Sequence, residues 1–150
     1  MVRLKRDNSN NPEFRKLILL LDQDLNGMYG KDQEVYGSHN VIEYIETVVV
    51  AYFNNEPAGC GCFKKYDDST IEIKRMFVKP EFRGKGISKL ILNELENWGK
   101  QLGYSQTILE TGVKQHEAIG LYTKYGYAKI DNYGQYVYMR NSVCMQKNLT

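Results

Sequence analysis

Val2 and Leu4 alternate with Arg3, Lys5 and Arg6, which predicts a short first strand with one apolar face. Asn11-Pro12-Glu13 then predicts a helix start: a capping side chain, proline at the first helical position and an acid in the first turn. Phe14, Leu17, Ile18, Leu21, Leu25 and Met28 follow at three- and four-residue spacing, the apolar stripe of a helix ending near Gly27 or Gly30. From Lys31 to Glu46 the pattern weakens, and a short helix or an ordered loop satisfies it equally. "TVVVAYF" is strand-like by its β-branched and aromatic content, "NNEP" is a turn and "AGCGCFKKY" a further strand. "DDS" leads into the third strand of this meander, "TIEIKRMFV". There Ile71 and Ile73 occupy odd positions while Met76 and Val78 occupy even ones, so a β-bulge near Lys74-Arg75 reconciles the two registers; Phe77 does not fit the alternation.

Past the sequence Arg83-Gly84-Lys85-Gly86 the period changes to that of a helix, with Ile87, Ile91, Leu95, Trp98 and Leu102 as its stripe and an end near Gly103. "SQTILETG" predicts a strand. Ala118, Leu121, Tyr122 and Tyr125 mark one face of the next helix, which Gly126 stops in the left-handed conformation. "YAKI" and "SVCMQKNL" predict two closing strands. The order β-α-(α)-β-β-β-α-β-α-β-β, without linker or repeat, predicts an α/β fold built on a mixed sheet and one domain over residues 1–150.

Composition narrows the function classes. With 42% hydrophobic and 25% charged residues the chain has globular proportions. Its formal net charge of +2, with both signs interspersed, argues against a nucleic-acid partner and for at most one local anion. The cationic start lacks an apolar stretch behind it, and no segment reaches the roughly 18 uncharged apolar residues of a membrane span, so a cytoplasmic protein is expected. Cys60, Cys62, Cys144 and the histidines show no CxxC or HxxxH spacing, so buried free thiols and no metal are expected.

The handover from strand to helix through glycines and cations carries the candidate chemistry. N–H groups at a helix start have no intrahelical partner and carry the positive end of the helix dipole. Gly84 and Gly86 would let anion oxygens approach the backbone, while Arg83 and Lys85 add charge, so a diphosphate is one reading and an ordinary helix start with solvated cations the other. The P-loop pattern fails because Lys79 holds its first glycine position and no Gly-Lys-Ser/Thr follows. The dinucleotide fingerprint fails because Lys89 holds the third glycine position and three meander strands precede the turn.

Arg83, Gly84, Lys85, Gly86 and Ile87, with Ser88 in place of the last small residue, resemble the Gln/Arg-x-x-Gly-x-Gly/Ala acyl-CoA-binding motif of the GNAT superfamily of N-acetyltransferases. "QHEAIGLYTKYGY" resembles its second motif, Asn-x-x-Ala-x-x-Leu-Tyr-x-x-x-Gly-Phe, with Gln115 for Asn and Tyr127 for Phe. The resemblance implies a GNAT fold: a mixed, mostly antiparallel seven-stranded sheet, splayed between strands 4 and 5 and flanked by helices. It implies acetyl-CoA as co-substrate, with the diphosphate on Arg83–Ser88, Gln115 among the coenzyme contacts, and pantetheine along Met76, Phe77 and Val78 like an added strand. It implies that Tyr122, read from spacing alone as a core aromatic, protonates the leaving thiolate, and that Glu72 serves as general base with Glu110 or ordered water as rivals. His39 and His116 are further titratable groups, His116 being expected at the surface.

The family's acceptor site is formed by the first helical region and the last strands. Here the former offers Tyr29, Asp32, Glu34, Tyr36 and His39, and the latter Tyr133, Gln135, Tyr136, Tyr138 and Arg140. Aromatic walls with a few charges imply a small-molecule primary amine acetylated by direct attack in a ternary complex. A protein lysine or N-terminus as acceptor, and a non-catalytic acyl-CoA sensor, are the alternatives; a homodimer is allowed.

Overall fold

A computed structural model describes residues 1–29 and 43–149. The elements are β1 (Val2–Asp7), α1 (Pro12–Tyr29), β2 (Thr47–Phe53), β3 (Glu56–Lys65), β4 (Thr70–Val78), α2 (Ile87–Gln101), β5 (Gln106–Gly112), α3 (His116–Lys124), β6 (Ala128–Ile130) and β7 (Ser142–Asn148). Single 3-10 turns span Pro80–Phe82 and Gly134–Tyr136. The seven strands form a sheet in the order β1-β2-β3-β4-β5-β7-β6. β4 and β5 pair in parallel over Thr70–Ile73 and Gln106–Leu109; β1/β2, β2/β3, β5/β7 and β6/β7 are antiparallel. The sheet is mixed, mostly antiparallel and seven-stranded, as the resemblance implies. Part of the weakly patterned segment, residues 30–42, lies outside the described residues.

The chain divides into two compact units, Met1–Phe63 with Arg75–Leu95, and Lys64–Lys74 with Glu96–Thr150. In the first, α1 starts where the sequence predicts: Asn11 Oδ1 accepts the Phe14 N–H at 2.9 Å and its amide donates to Asp7 at 2.9 Å. Phe14, Leu17, Ile18 and Leu21 bury the stripe of α1 against Val48, Val50 and Tyr52 of β2, Cys60 and Cys62 of β3, and Phe77 of β4. Each such side chain contributes about 1.5–3 kcal/mol by leaving water. Asn54 and Asn55 turn β2 into β3 with φ of 50° and 70°, the left-handed pair that a two-residue hairpin requires. On the other face β3 carries glycine because nothing larger fits: a Cβ on Gly61 would lie 2.6 Å from Met76 Sδ and 3.0 Å from Ile91 and Leu95 of α2.

The bulge sits at Arg75, whose φ is 59°. Before it, Ile71 packs against Gly99 of α2; after it, Met76 and Val78 face Gly61, Gly59 and Ile91. Phe77, which broke the alternation, is buried on the opposite face in the α1 cluster.

In the second unit, β5 lies between the first half of β4 and β7. A network runs through its helix-facing side: Thr107 Oγ1 and Tyr127 OH are 2.7 Å apart, Tyr127 OH donates to Glu96 at 2.9 Å, and Lys147 Nζ donates to Glu96 at 2.8 Å. Glu96 belongs to the buried stripe of α2, as does Leu92, whereas Leu102 is 56% exposed. The expected place of Leu102 in the stripe is therefore corrected: the helix ends at Gln101 and the chain unwinds through Gly103 at φ 96°. On α3 Tyr122 is buried, while Ala118, Leu121 and Tyr125 are half-buried.

Candidate active site

In the first unit the end of β4 is pinned by the Lys79 N–H, which donates to the Ala58 carbonyl at 2.8 Å. Alternate residues of an extended strand direct their backbone groups to opposite edges. Arg75, Phe77 and Lys79 direct theirs toward β3, where Cys60 Sγ donates to the Arg75 carbonyl at 3.5 Å and the Phe77 carbonyl lies against Gly59. Met76 and Val78 therefore direct theirs away from β3.

The chain then passes through the 3-10 turn into Arg83–Gly86. Gly84 and Gly86 have φ of 81° and 77°, the left-handed conformation that a side chain disfavours, and among the described residues nothing lies within 4 Å of where a Cβ would project at either. Ile87, buried to 2% exposure, fixes the start of α2 in the core, and the N–H groups of Ile87 and Ser88 have no intrahelical acceptor. This open, N–H-lined turn is chemically suited to a diphosphate. Arg83 does less there than its charge implies: Nε donates to the Val78 carbonyl at 2.9 Å, an Nη lies 3.6 Å from Asp24, and the guanidinium sits 5.7 Å from the Phe77 ring centroid. It braces the strand end. Lys85 is exposed, with its ammonium 5.2 Å from the Phe53 ring centroid.

In the second unit Tyr122 projects from α3, its ring edge-on to Tyr127 at 5.6 Å. It is only 5% exposed. Burial, and then the charge of Glu110, raise its pKa well above the usual 10, so it keeps its proton at neutral pH. Glu110 accepts a hydrogen bond from Ser142 Oγ at 2.7 Å. Burial, reinforced by Glu72, lifts its pKa from 4.5 to about 7 against the opposing pull of Ser142 and Lys74. Glu72, whose side chain is 14% exposed, accepts a hydrogen bond from Tyr133 OH at 2.7 Å and has Lys74 Nζ at 4.0 Å. Tyr133 meets Tyr66 and Tyr136 edge-on at 5.4 and 5.7 Å. Gln115, at the cap of α3, accepts a hydrogen bond from Thr111 Oγ1 and ties β5 to that helix.

The structure thus brings together Glu72, Glu110, Tyr133 and Tyr136, the tyrosine being held above its ordinary pKa in both cases by burial first and the carboxylates second. Gln135, Tyr138 and Arg140, predicted beside them, are exposed, and His116 is at the surface as expected. Asp32, Glu34, Tyr36 and His39, with the side chain of Tyr29, lie outside the described residues. Sequence reasoning missed Ser142 and Lys74; strand alternation puts Lys74 on the Glu72 face, but nothing local marks Ser142. Cys60, Cys62 and Cys144 are buried and joined in no disulfide, and no group of three or more His, Cys, Asp or Glu among the described residues is placed to hold a metal ion. No described helix is long and apolar enough to cross a membrane.

Residues 15–127 match the Acetyltransferase (GNAT) family. The chain is 36% identical over 102 residues to an IAA acetyltransferase of Azospirillum brasilense, covering 67% of each protein. It superimposes with a TM-score of 0.83 and 26% identity on a candidate acyl-CoA N-acyltransferase of Klebsiella pneumoniae subsp. pneumoniae, over 100% of this chain and 99% of the other. A GNAT family acetyltransferase of Elizabethkingia anophelis, solved with acetyl-CoA bound, superimposes with a TM-score of 0.70 at 21% identity over 98% and 97% of the chains. The chain belongs to the GNAT family of acetyl-CoA-dependent acetyltransferases.

Proposed function

We propose that this chain, as a single N-acetyltransferase domain over residues 1–150, moves an acetyl group from acetyl-CoA to the primary amine of a small molecule by direct attack in a ternary complex. The observation that carries the reading is the pairing, in the second unit, of Glu110 with Tyr122: a half-buried carboxylate lifted to a pKa of about 7, whose charge bears on a buried tyrosine that keeps its proton at neutral pH. Glu110 takes a proton from the ammonium form of the acceptor. The freed amine forms the N–C bond, the C–S bond breaks, Tyr122 gives its proton to the departing sulfur, and the proton shed by the new amide nitrogen returns Tyr122 to its neutral form. The steps reinforce each other. Proton arrival on Glu110 removes the negative charge that raises the Tyr122 pKa, so the acid is strengthened when it is needed.

This reading moves the base from Glu72, the residue favoured by resemblance, to Glu110. Glu72 already holds the Tyr133 hydroxyl and neighbours Lys74, so it is committed to orienting the aromatic wall. In the first unit the open Arg83–Ser88 turn would take the coenzyme diphosphate and the outward backbone groups of Met76 and Val78 its pantetheine arm. A small-molecule acceptor is supported by the Azospirillum relative, which is named for IAA rather than for a protein. The test is release of free thiol from acetyl-CoA against a panel of small amines, with lysine-containing and free-N-terminal peptides in parallel. Turnover with peptides only would make the acceptor a protein; binding without turnover on any amine would make the chain a sensor.

A further inference from the structure

Among the described residues other than glycine, Arg75 and the hairpin pair Asn54 and Asn55 have positive φ. Asparagine tolerates that conformation through its short polar side chain; arginine has no such local compensation and persists there only where its surroundings hold it. What holds Arg75 is visible. Its side chain is 8% exposed and donates to Asp22 Oδ1 of α1 at 2.8 Å, while its carbonyl accepts the Cys60 thiol of β3. Asp22 follows Leu21 on a helix clamped into the core by Phe14, Leu17 and Ile18. The ion pair therefore fastens the bulged residue to a helix whose neighbouring turns are buried in the core of the first unit.

The bulge decides which way the rest of β4 points. A slip of one residue would turn Phe77 out of the α1 cluster and exchange the edges toward which Met76 and Val78 direct their backbone groups. We propose that Asp22 and Arg75 form a latch that holds the β4 bulge in the register presenting Met76 and Val78 to the acyl donor, which makes Asp22 a positioning residue for coenzyme binding. The inference rests on the proposed course of acetyl-CoA along β4. It assigns to α1 a part in coenzyme affinity although Asp22 lies outside both the Arg83–Ser88 turn and the Gln115–Tyr127 segment.

Calorimetric binding of acetyl-CoA, with kcat at saturating coenzyme, tests it on the full chain. Asp22→Asn is expected to weaken acetyl-CoA by about 5- to 20-fold while kcat stays within about threefold. The decisive comparison is at the bulge itself. Glycine adopts the left-handed conformation without an anchor, so Arg75→Gly, alone or with Asp22→Asn, is expected to bind within about threefold of wild type, whereas Arg75→Ala weakens binding like Asp22→Asn. An ion pair with a merely structural role would lower the melting temperature in all these variants without this split between alanine and glycine. Equal affinities for Arg75→Ala and Arg75→Gly, or wild-type affinity in folded Asp22→Asn, would overturn the latch alone, and the alanine and glycine pair decides it even if Asp22→Asn does not fold. Wild-type protein that binds no acetyl-CoA would overturn the proposed function and the latch with it.

Discussion

Replacing Glu110 by glutamine separates stability from catalysis in opposite directions. The folded chain holds the Glu110 proton up to about pH 7, while the unfolded chain releases it near the ordinary value of 4.5. Between those limits the native state binds more protons than the unfolded state, so stability falls as pH rises through this window and is fully retained only below it. The gap amounts to about 3 kcal/mol lost by pH 8. Glutamine has nearly the same shape, can still accept from Ser142 Oγ, and has no charge to bury. Glu110→Gln is therefore expected to match wild type near pH 4.5 and to exceed it by about 2–3 kcal/mol at pH 8, a rise of roughly 5–10 °C in melting temperature. The same variant should lose about 10²–10⁴-fold in kcat, with the acidic limb of the pH-rate profile removed. Urea melts at closely spaced pH values and single-turnover rates across the same range read both quantities. A variant no more stable than wild type at pH 8 would show that Glu110 is not held protonated. Wild-type turnover would show that the amine loses its proton elsewhere, to Glu72 or to solvent.

Tyr122→Phe keeps the ring and its contact with Tyr127, so stability should change little while single-turnover chemistry falls about 10²–10⁴-fold; undiminished chemistry would leave Tyr122 a core aromatic. A Cβ at Gly86 meets no atom of the described residues within 4 Å, so the effect of Gly86→Val should come from the left-handed φ of 77° and from crowding the anion: a fold retained by circular dichroism with acetyl-CoA affinity reduced at least tenfold, unchanged calorimetric affinity refuting the phosphate turn. Tyr127→Phe removes the hydroxyl shared by Thr107 and Glu96 and should cost about 1–3 kcal/mol in urea melts; a loss below roughly 0.5 kcal/mol would mean the network closes without it.

What was legible in the sequence was what local chemistry determines. Asn11, Gly103 and Gly126 marked helix ends because caps and left-handed stops involve a few adjacent residues, and the switch from odd to even apolar positions located the bulge to within a residue. Leu102 was misplaced because a helical period does not say where the helix stops, and Glu96 passed unnoticed because a buried carboxylate is tolerable only through partners 31 and 51 residues away. The site divided the same way. Motif spacing singled out the glycine turn and Tyr122. Which of two carboxylates is free to take a proton depends on Tyr133, 61 residues from Glu72, and on Ser142, 32 residues from Glu110. Strand alternation gives a face; it does not give the partners that occupy it.

The outward backbone groups of Met76 and Val78 have one more consequence. Taken by itself, the first unit ends on an edge strand, and such an edge is a template on which another chain can add. The Arg75 bulge, Lys79 and Pro80 blunt it only in part. An acyl donor lying along β4 would cover the same edge, so ligand occupancy would protect against self-association as well as supply the reaction. Coenzyme at 100 times its dissociation constant would add about 2.7 kcal/mol to folded-state stability. Depletion of acetyl-CoA would then leave the enzyme both idle and in its most aggregation-prone form, and light scattering on heating with and without coenzyme would show the difference.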